Sequence, residues 1–436
     1  MKVCVAGLWH LGTVTAACLA SGGHDVTGLD FDAGVVSGLS AGKAPLFEPR
    51  LDDLVESGLA AGRLRFTTDL AAAVCHADVV WIAFDTPVDD DDRADVGYVT
   101  DRTARLFPHL RDGALVLMSS QVPVGTTRQI ELAFATDARG RAVAFAYSPE
   151  NLRLGKAIDA FTQPDRIVVG VRSPAGRDTA AELLRPISER IEWMSVESAE
   201  MTKHALNAFL ATSVTFINEI AALCEQVGAD AAEVERGLKS ELRIGPRAYL
   251  SPGGAFAGGT LARDVVFLSQ LGQVRRVPTH LLSSVKISND AHRHWAEHRL
   301  DQQLGGVSGK SVGVWGLTYK PGTDTLRRSS SIELCQWLVD QGATVRAHDP
   351  AVHTLPAGLV ERFVLAESAL SAVDGASALV VATAWPEYRE IAAADVAARM
   401  THPLVLDANR FLGDTLGKGS SIEYVSVGRT SQSGPR

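Results

Sequence analysis

Residues 7 to 12, GLWHLG, separate the apolar run KVCVA from the helix-like TVTAACLA. Gly7 stands where a tight turn must follow a strand, and Gly12 lets the next helix pack close on a sheet. The start of that helix offers N–H groups and a positive dipole end to a pyrophosphate. Asp30 closes the next β-rich run, DVTGLDFD. A carboxylate there accepts from a ribose 2′-hydroxyl and repels a 2′-phosphate, which favours NAD over NADP. Trp9 occupies the place of the second glycine of such turns, whose purpose is close approach of backbone to phosphate, so the fit around the cofactor must differ. A second pair, Lys203 and Asn207, stands four apart in a helical run, on one helix face. On its own, such a pair usually belongs to a solvated surface. Metal chemistry finds little support: His294 and His298 are four apart, but two histidines alone rarely make a site. The five cysteines, at 4, 18, 75, 224 and 335, include no CxxC pair. Neither a disulfide framework nor a zinc site is expected, and a reducing cytoplasm is.

Elements must hold these residues in place, and the pattern along the chain supplies them. The 436 residues are 46% apolar and 21% charged, with a net charge of -9 and no basic block to neutralise a phosphate backbone. Nucleic acid is not an expected partner. No charged and apolar leader opens the chain, and no apolar run is expected to reach the roughly 20 residues a membrane helix needs. Runs such as KVCVAGL, DVTGLDFD, ADVVWIAF, ALVLMSS, VAFAYSP and RIVVGV alternate with helical stretches, which predicts a doubly wound parallel sheet. The run SVESAEMTKHALNAFLATSVTFINEIAALCEQV has no Gly or Pro and predicts the longest helix. From SVGVWGL at 311 the β/α alternation restarts. The expected order is α/β throughout. A Rossmann-like NAD domain spans 1–195, a central helical domain with the long helix 196–300, and a second Rossmann-like domain 301–429, before a polar disordered tail, 430–436. The turn GVWGL at 313–317 lacks a comparable glycine fingerprint and is given a structural or different nucleotide role. Trp315 and Trp385 read as packing residues.

The chain resembles the UDP-glucose/GDP-mannose dehydrogenase family over nearly its whole length. The likeness is carried by FDTPVDDDDRADVGYV (84–99), SSQVPVGTT (119–127), SPENLRLGKAIDAFTQPDRIVVG (148–170) and MTKHALNAFLATSVTFINEIAALCE (201–225). It continues in ELRIGPRAYLSPGGAFAGGTLARDV (241–265), GLTYKPGTDTLRR (316–328), TAWPEYRE (383–390) and EYVSVGR (423–429). The resemblance implies a homodimer formed by the long helix, NAD as cofactor and a nucleotide-sugar substrate. The C6 alcohol would be oxidised to a carboxylate by two NAD, through an aldehyde and a cysteine-bound thioester. It further implies that Lys203 and Asn207 hold the developing alkoxide, that Asp264 orders the catalytic water, and that Glu150 is an acid of the site. Leu11, Thr86, Ser120 and Arg327 would lie at the cofactor, and Leu152, Arg243, Tyr249, Leu250, Gly254 and Lys320 at the substrate. Arg243 would reach the neighbouring subunit's site.

Departures gather at one chemical step. In the family the thiol lies in a GGSCFPKD loop, and the matching stretch here is AGGTLARD, with Thr260 at the cysteine position and Ala262 and Arg263 after it. A hydroxyl does not ionise near neutral pH, whereas thioester formation needs a thiolate. Leu154 replaces the second glutamate of PEFLREG, Gln121 replaces the threonine before VPVGT, and Arg328 stands where the family has an acid. The expected reaction is one hydride transfer. Two alternatives stay open: full oxidation through an aldehyde hydrate, and a binder without turnover.

Overall fold

A computed structural model describes residues 1–89, 93–137, 140–257, 260–326, 329–418 and 421–429. Arg327, Arg328 and the tail 430–436 lie outside the described residues. The chain divides into two compact units, Met1–Leu206 and Asn207–Arg436, and the division falls inside the long helix, Val196–Val227.

In the first unit, β1 (Lys2–Ala6), β2 (Asp25–Leu29), β3 (Leu64–Thr67), β4 (Val79–Ile82), β5 (Leu115–Met118), β6 (Ala144–Tyr147), β7 (Ile167–Val171) and β8 (Ile191–Met194) form one sheet. Its order is β3-β2-β1-β4-β5-β6-β7-β8. The order reverses between β1 and β4, where such sheets receive nucleotides. Against the expectation of an all-parallel sheet, β6 and β7 pair antiparallel. Burial on both faces explains the near-continuous apolar strands: β4 and β5 are buried along their whole length.

The second unit holds β9 (Ser311–Trp315), β10 (Thr344–His348), β11 (Val364–Leu365), β12 (Ala378–Val381), β13 (Leu404–Leu406) and β14 (Glu423–Val425). They are ordered β11-β10-β9-β12-β13-β14, with every pair parallel. Helices Ala231–Ser240, Thr260–Arg275, His280–Arg293 and Trp295–Leu304 precede this sheet.

The long helix, by length and composition alone, could cross a membrane. This corrects the expectation that no apolar run is long enough. Its Glu200, Lys203, His204 and Asn207 are all buried, and the first three bind loops of the first unit. Buried polar groups with fixed partners make it a core helix of this fold.

Candidate active site

Gly7 adopts φ +93, and a Cβ there would lie 2.6 Å from the Phe84 backbone nitrogen. A Cβ on Gly12 would lie 1.6 Å from the Gly7 carbonyl oxygen. Both glycines are therefore fixed by close approach of backbone. The helix His10–Ser21 begins directly after, with Trp9 as N-cap and no side-chain cap among the described residues. Its first N–H groups remain available to an anion. Trp9 is 46% exposed. Asp30 is tied to the same turn: one carboxylate oxygen accepts from Leu8 N–H at 2.7 Å and the other from Asp32 N–H at 3.0 Å. Leu11, on the first turn of the helix, is buried. Turn, uncapped helix start and strand-end carboxylate together fit a dinucleotide.

The second unit repeats this turn and closes it. Gly316 also has φ +93, and its N–H donates to the His348 carbonyl at 2.7 Å, as Gly7 does to Leu29 at 2.8 Å. Asp349 takes the position of Asp30, accepting Leu317 N–H at 2.7 Å and Ala351 N–H at 2.9 Å. One of its oxygens also takes Thr318 N–H, the Thr318 hydroxyl and, at 3.0 Å, Trp385 Nε1. The carboxylate is buried and one of its oxygens is fully engaged within the turn, and the next helix, Ser330–Asp340, starts late and is capped by Ser329. This is the physical reason the second turn lacks a fingerprint, and it shows Trp385 to be more than packing. Trp315 stacks on Tyr388 at 4.8 Å.

The loops beside the first turn come from the ends of β4, β5 and β6. The Thr86 hydroxyl donates to the Gln121 carbonyl at 2.7 Å. Ser120 is fully buried, and its hydroxyl has no hydrogen-bond partner among the described residues. After β6, the loop bearing Glu150 meets the long helix. Lys203, 5% exposed, donates to the Glu150 carbonyl at 2.7 Å and to its carboxylate at 2.9 Å. The other Glu150 oxygen accepts Leu152 N–H at 2.9 Å. A solvated helix face is thereby ruled out for Lys203.

Sequence reasoning passed over two neighbours of Lys203. Glu200 is fully buried and accepts from Gly125 N–H at 2.6 Å, Thr127 N–H at 2.9 Å and the Thr127 hydroxyl at 2.6 Å. His204 donates to the Val122 carbonyl at 3.0 Å. Together they moor the loop that carries Ser120 and Gln121. The signal was present: Glu200, Lys203, His204 and Asn207 recur at helical spacing in a run otherwise rich in apolar residues. Glu200→Gln should lower stability by about 2 kcal/mol, since it sets an amide N–H against donors. A urea midpoint equal to that of the parent would contradict this.

In the second unit, Asn207 is buried and its Nδ2 donates to the fully buried Asp264. Asp264 belongs to the helix Thr260–Arg275, not to a loop as the sequence suggested, and Thr260 is the exposed first residue of that helix. The stretch 250–256 is framed on several sides. Asn218 accepts Gly253 N–H at 3.0 Å, His292 donates to the Gly253 carbonyl at 2.8 Å, and Asn289 holds both backbone groups of Phe256. Gly254 N–H donates to Asn409 at 2.9 Å. Burial lowers the pKa of His292, which keeps it a neutral donor. Leu250 is buried, whereas Tyr249 and Arg243 are exposed, Arg243 pairing with Glu241 at 3.0 Å. Lys320 lies half-buried in the turn after β9.

The sulfur inventory bears directly on the chemistry. Cys4, Cys18, Cys224 and Cys335 are buried and Cys75 is half-buried at a helix end. Burial pushes the thiols of Cys4, Cys18 and Cys335 up to about 12.

Three family models cover the chain in order. The NAD binding domain of the UDP-glucose/GDP-mannose dehydrogenase family matches residues 1–188, its central domain 197–291 and its UDP binding domain 313–414. The chain belongs to the UDP-glucose/GDP-mannose dehydrogenase family. Among its relatives, UDP-glucose 6-dehydrogenase of Rhizobium meliloti is 37% identical over 98% of this chain and 100% of that protein. That of Pseudomonas aeruginosa is 34% identical over 98% of each. A UDP-glucose dehydrogenase structure from Pyrobaculum islandicum superposes with TM-score 0.89 at 30% identity, covering 98% of both chains. This family member is an NAD-dependent nucleotide-sugar oxidoreductase with the family's α/β fold.

Proposed function

We propose that this family member oxidises a CH–OH group of a nucleotide-linked sugar by one two-electron step and releases the carbonyl product. Thr260 carries the reading: on the resemblance a hydroxyl stands where the family has its thiol, while four of the five cysteines are buried. NAD, held by Gly7, Gly12, Leu11, Asp30, Thr86 and Ser120, supplies the hydride acceptor.

Lys203 is the cation for the developing alkoxide. An ammonium has three N–H donors, and Glu150 occupies two of them, which leaves one for the substrate oxygen. Asn207, one turn along the same helix, is the second donor, its amide oriented by Asp264, and Asp264 orders the water that takes the hydroxyl proton. Leu152, Leu250, Gly254, Tyr249 and Lys320 contact the sugar nucleotide. Arg243, exposed here, reaches the site of a second copy, with Arg327 as a further phosphate ligand. The reading is tested by counting NADH formed per substrate consumed in a screen of sugar nucleotides, with one expected. Two would favour oxidation through an aldehyde hydrate, and no NAD binding would leave only a non-catalytic binder.

The assembly is a homodimer in the cytoplasm. Phe209, Phe216 and Leu223, exposed at sevenfold spacing on the long helix, form an apolar stripe suited to a second copy. Sedimentation equilibrium at micromolar concentration should give twice the 46.3 kDa chain mass. A monomer would overturn the dimer.

A further inference from the structure

We propose that His10 and Glu48 form a clamp that couples cofactor binding to the loop holding Lys203, so that NAD and sugar nucleotide each tighten the other's binding. The inference rests on the function proposed above.

Glu48 sits in the segment between helices Ala33–Ser40 and Leu51–Ala60, yet its side chain is 1% exposed. A carboxylate there must be matched by donors. It has three, all from distant parts of the first unit: His10 Nε2 at 2.9 Å, Gly155 N–H at 2.7 Å and Ala157 N–H at 2.9 Å. His10 is the first residue of the helix His10–Ser21, next to Trp9, at the end that faces the pyrophosphate. Gly155, at φ +82, and Ala157 close the loop that begins with Glu150. Glu150 in turn grips Lys203 with its carbonyl and its carboxylate.

A continuous path of hydrogen bonds and a short loop therefore runs from the cofactor turn to the alkoxide cation. Diphosphate bound at the helix start fixes His10. A fixed His10 holds Glu48, and Glu48 holds residues 155–157 and the span back to Glu150. His10 and Glu48 are positioning residues: neither is assigned contact with the reacting atoms. Because coupling of two binding events is reciprocal, whatever NAD does for the sugar site the sugar nucleotide does for NAD.

The test uses NADH, which cannot oxidise a sugar, so that no turnover intrudes, and UDP-glucose as the second ligand. NADH fluorescence gives its Kd with and without saturating UDP-glucose, whose own binding is checked by calorimetry. The expected wild-type ratio is about fivefold or more. In His10→Ala, which leaves Glu48 its two amide donors, the ratio should fall below about twofold while NADH still binds. His10→Gln, whose amide can donate to Glu48, should recover most of the ratio. A merely structural role would change melting temperature in both variants without this pattern. With both ligands bound, a wild-type ratio of one or an unchanged ratio in His10→Ala overturns the clamp alone. Wild-type protein that fails to bind NADH, or that binds neither UDP-glucose nor any other sugar nucleotide of the screen, overturns the functional reading, and the clamp with it.

Discussion

Lys203→Ala should lower kcat/KM by about a thousandfold, the loss seen when a preorganised donor to a developing oxyanion is removed. The ammonium is buried and held at two points by Glu150, so water cannot easily take its place with the same geometry. Its interaction strengthens as the hydroxyl becomes an alkoxide, so the loss should fall on kcat more than on KM. NAD affinity should change little, because the turn at Gly7 and Gly12 is built from other residues. Steady-state kinetics with the best sugar nucleotide from the screen decide the matter. Turnover within tenfold of the parent would remove Lys203 from the proposed site.

Thr260→Cys should add a covalent step that the parent lacks. Residue 260 is the first residue of the helix Thr260–Arg275, where the helix dipole favours a thiolate. The new sulfur would add to the aldehyde, and a second hydride would leave a thioester. NADH per substrate should rise above one. On the resemblance, Leu154 and Gln121 stand where the family has residues of its hydrolysis machinery, so the thioester should persist and appear by mass spectrometry as an acyl adduct on Cys at 260. The parent should show neither adduct nor second NADH. A variant that gives one NADH and no adduct would mean that Thr260 does not face the reacting carbon. Two NADH from the parent would mean that the acid forms without any thiol.

Much of the architecture follows from pattern. Gly7, Gly12 and Asp30 mark the cofactor turn through spacing alone, since glycine is demanded where backbone meets backbone. The gap-free run from Ser195 to Val227 marks the long helix. Four strands are not legible in the sequence, β3, β8, β11 and β14, because none is longer than four residues and each is only partly buried. A strand of that kind carries neither a continuous apolar run nor a clear alternation. The antiparallel pairing of β7 with β6 was likewise hidden, as strand direction depends on which edge the chain returns to and leaves no mark on composition.

Residue types and local spacing thus determined the order of elements and the NAD-type turn, because each is a property of adjacent residues, whereas the reading of Thr260 as standing in the place of a thiol rests on the resemblance to the family. Only the tertiary structure decided that Glu48, Glu200 and Asp349 are buried, that Trp385 seals the second turn, and that Asp264 lies in a helix beneath Asn207. A charged side chain is buried only where donors converge on it. For Glu48 those donors come from residues 10, 155 and 157, and a position in sequence carries no information about such distant partners.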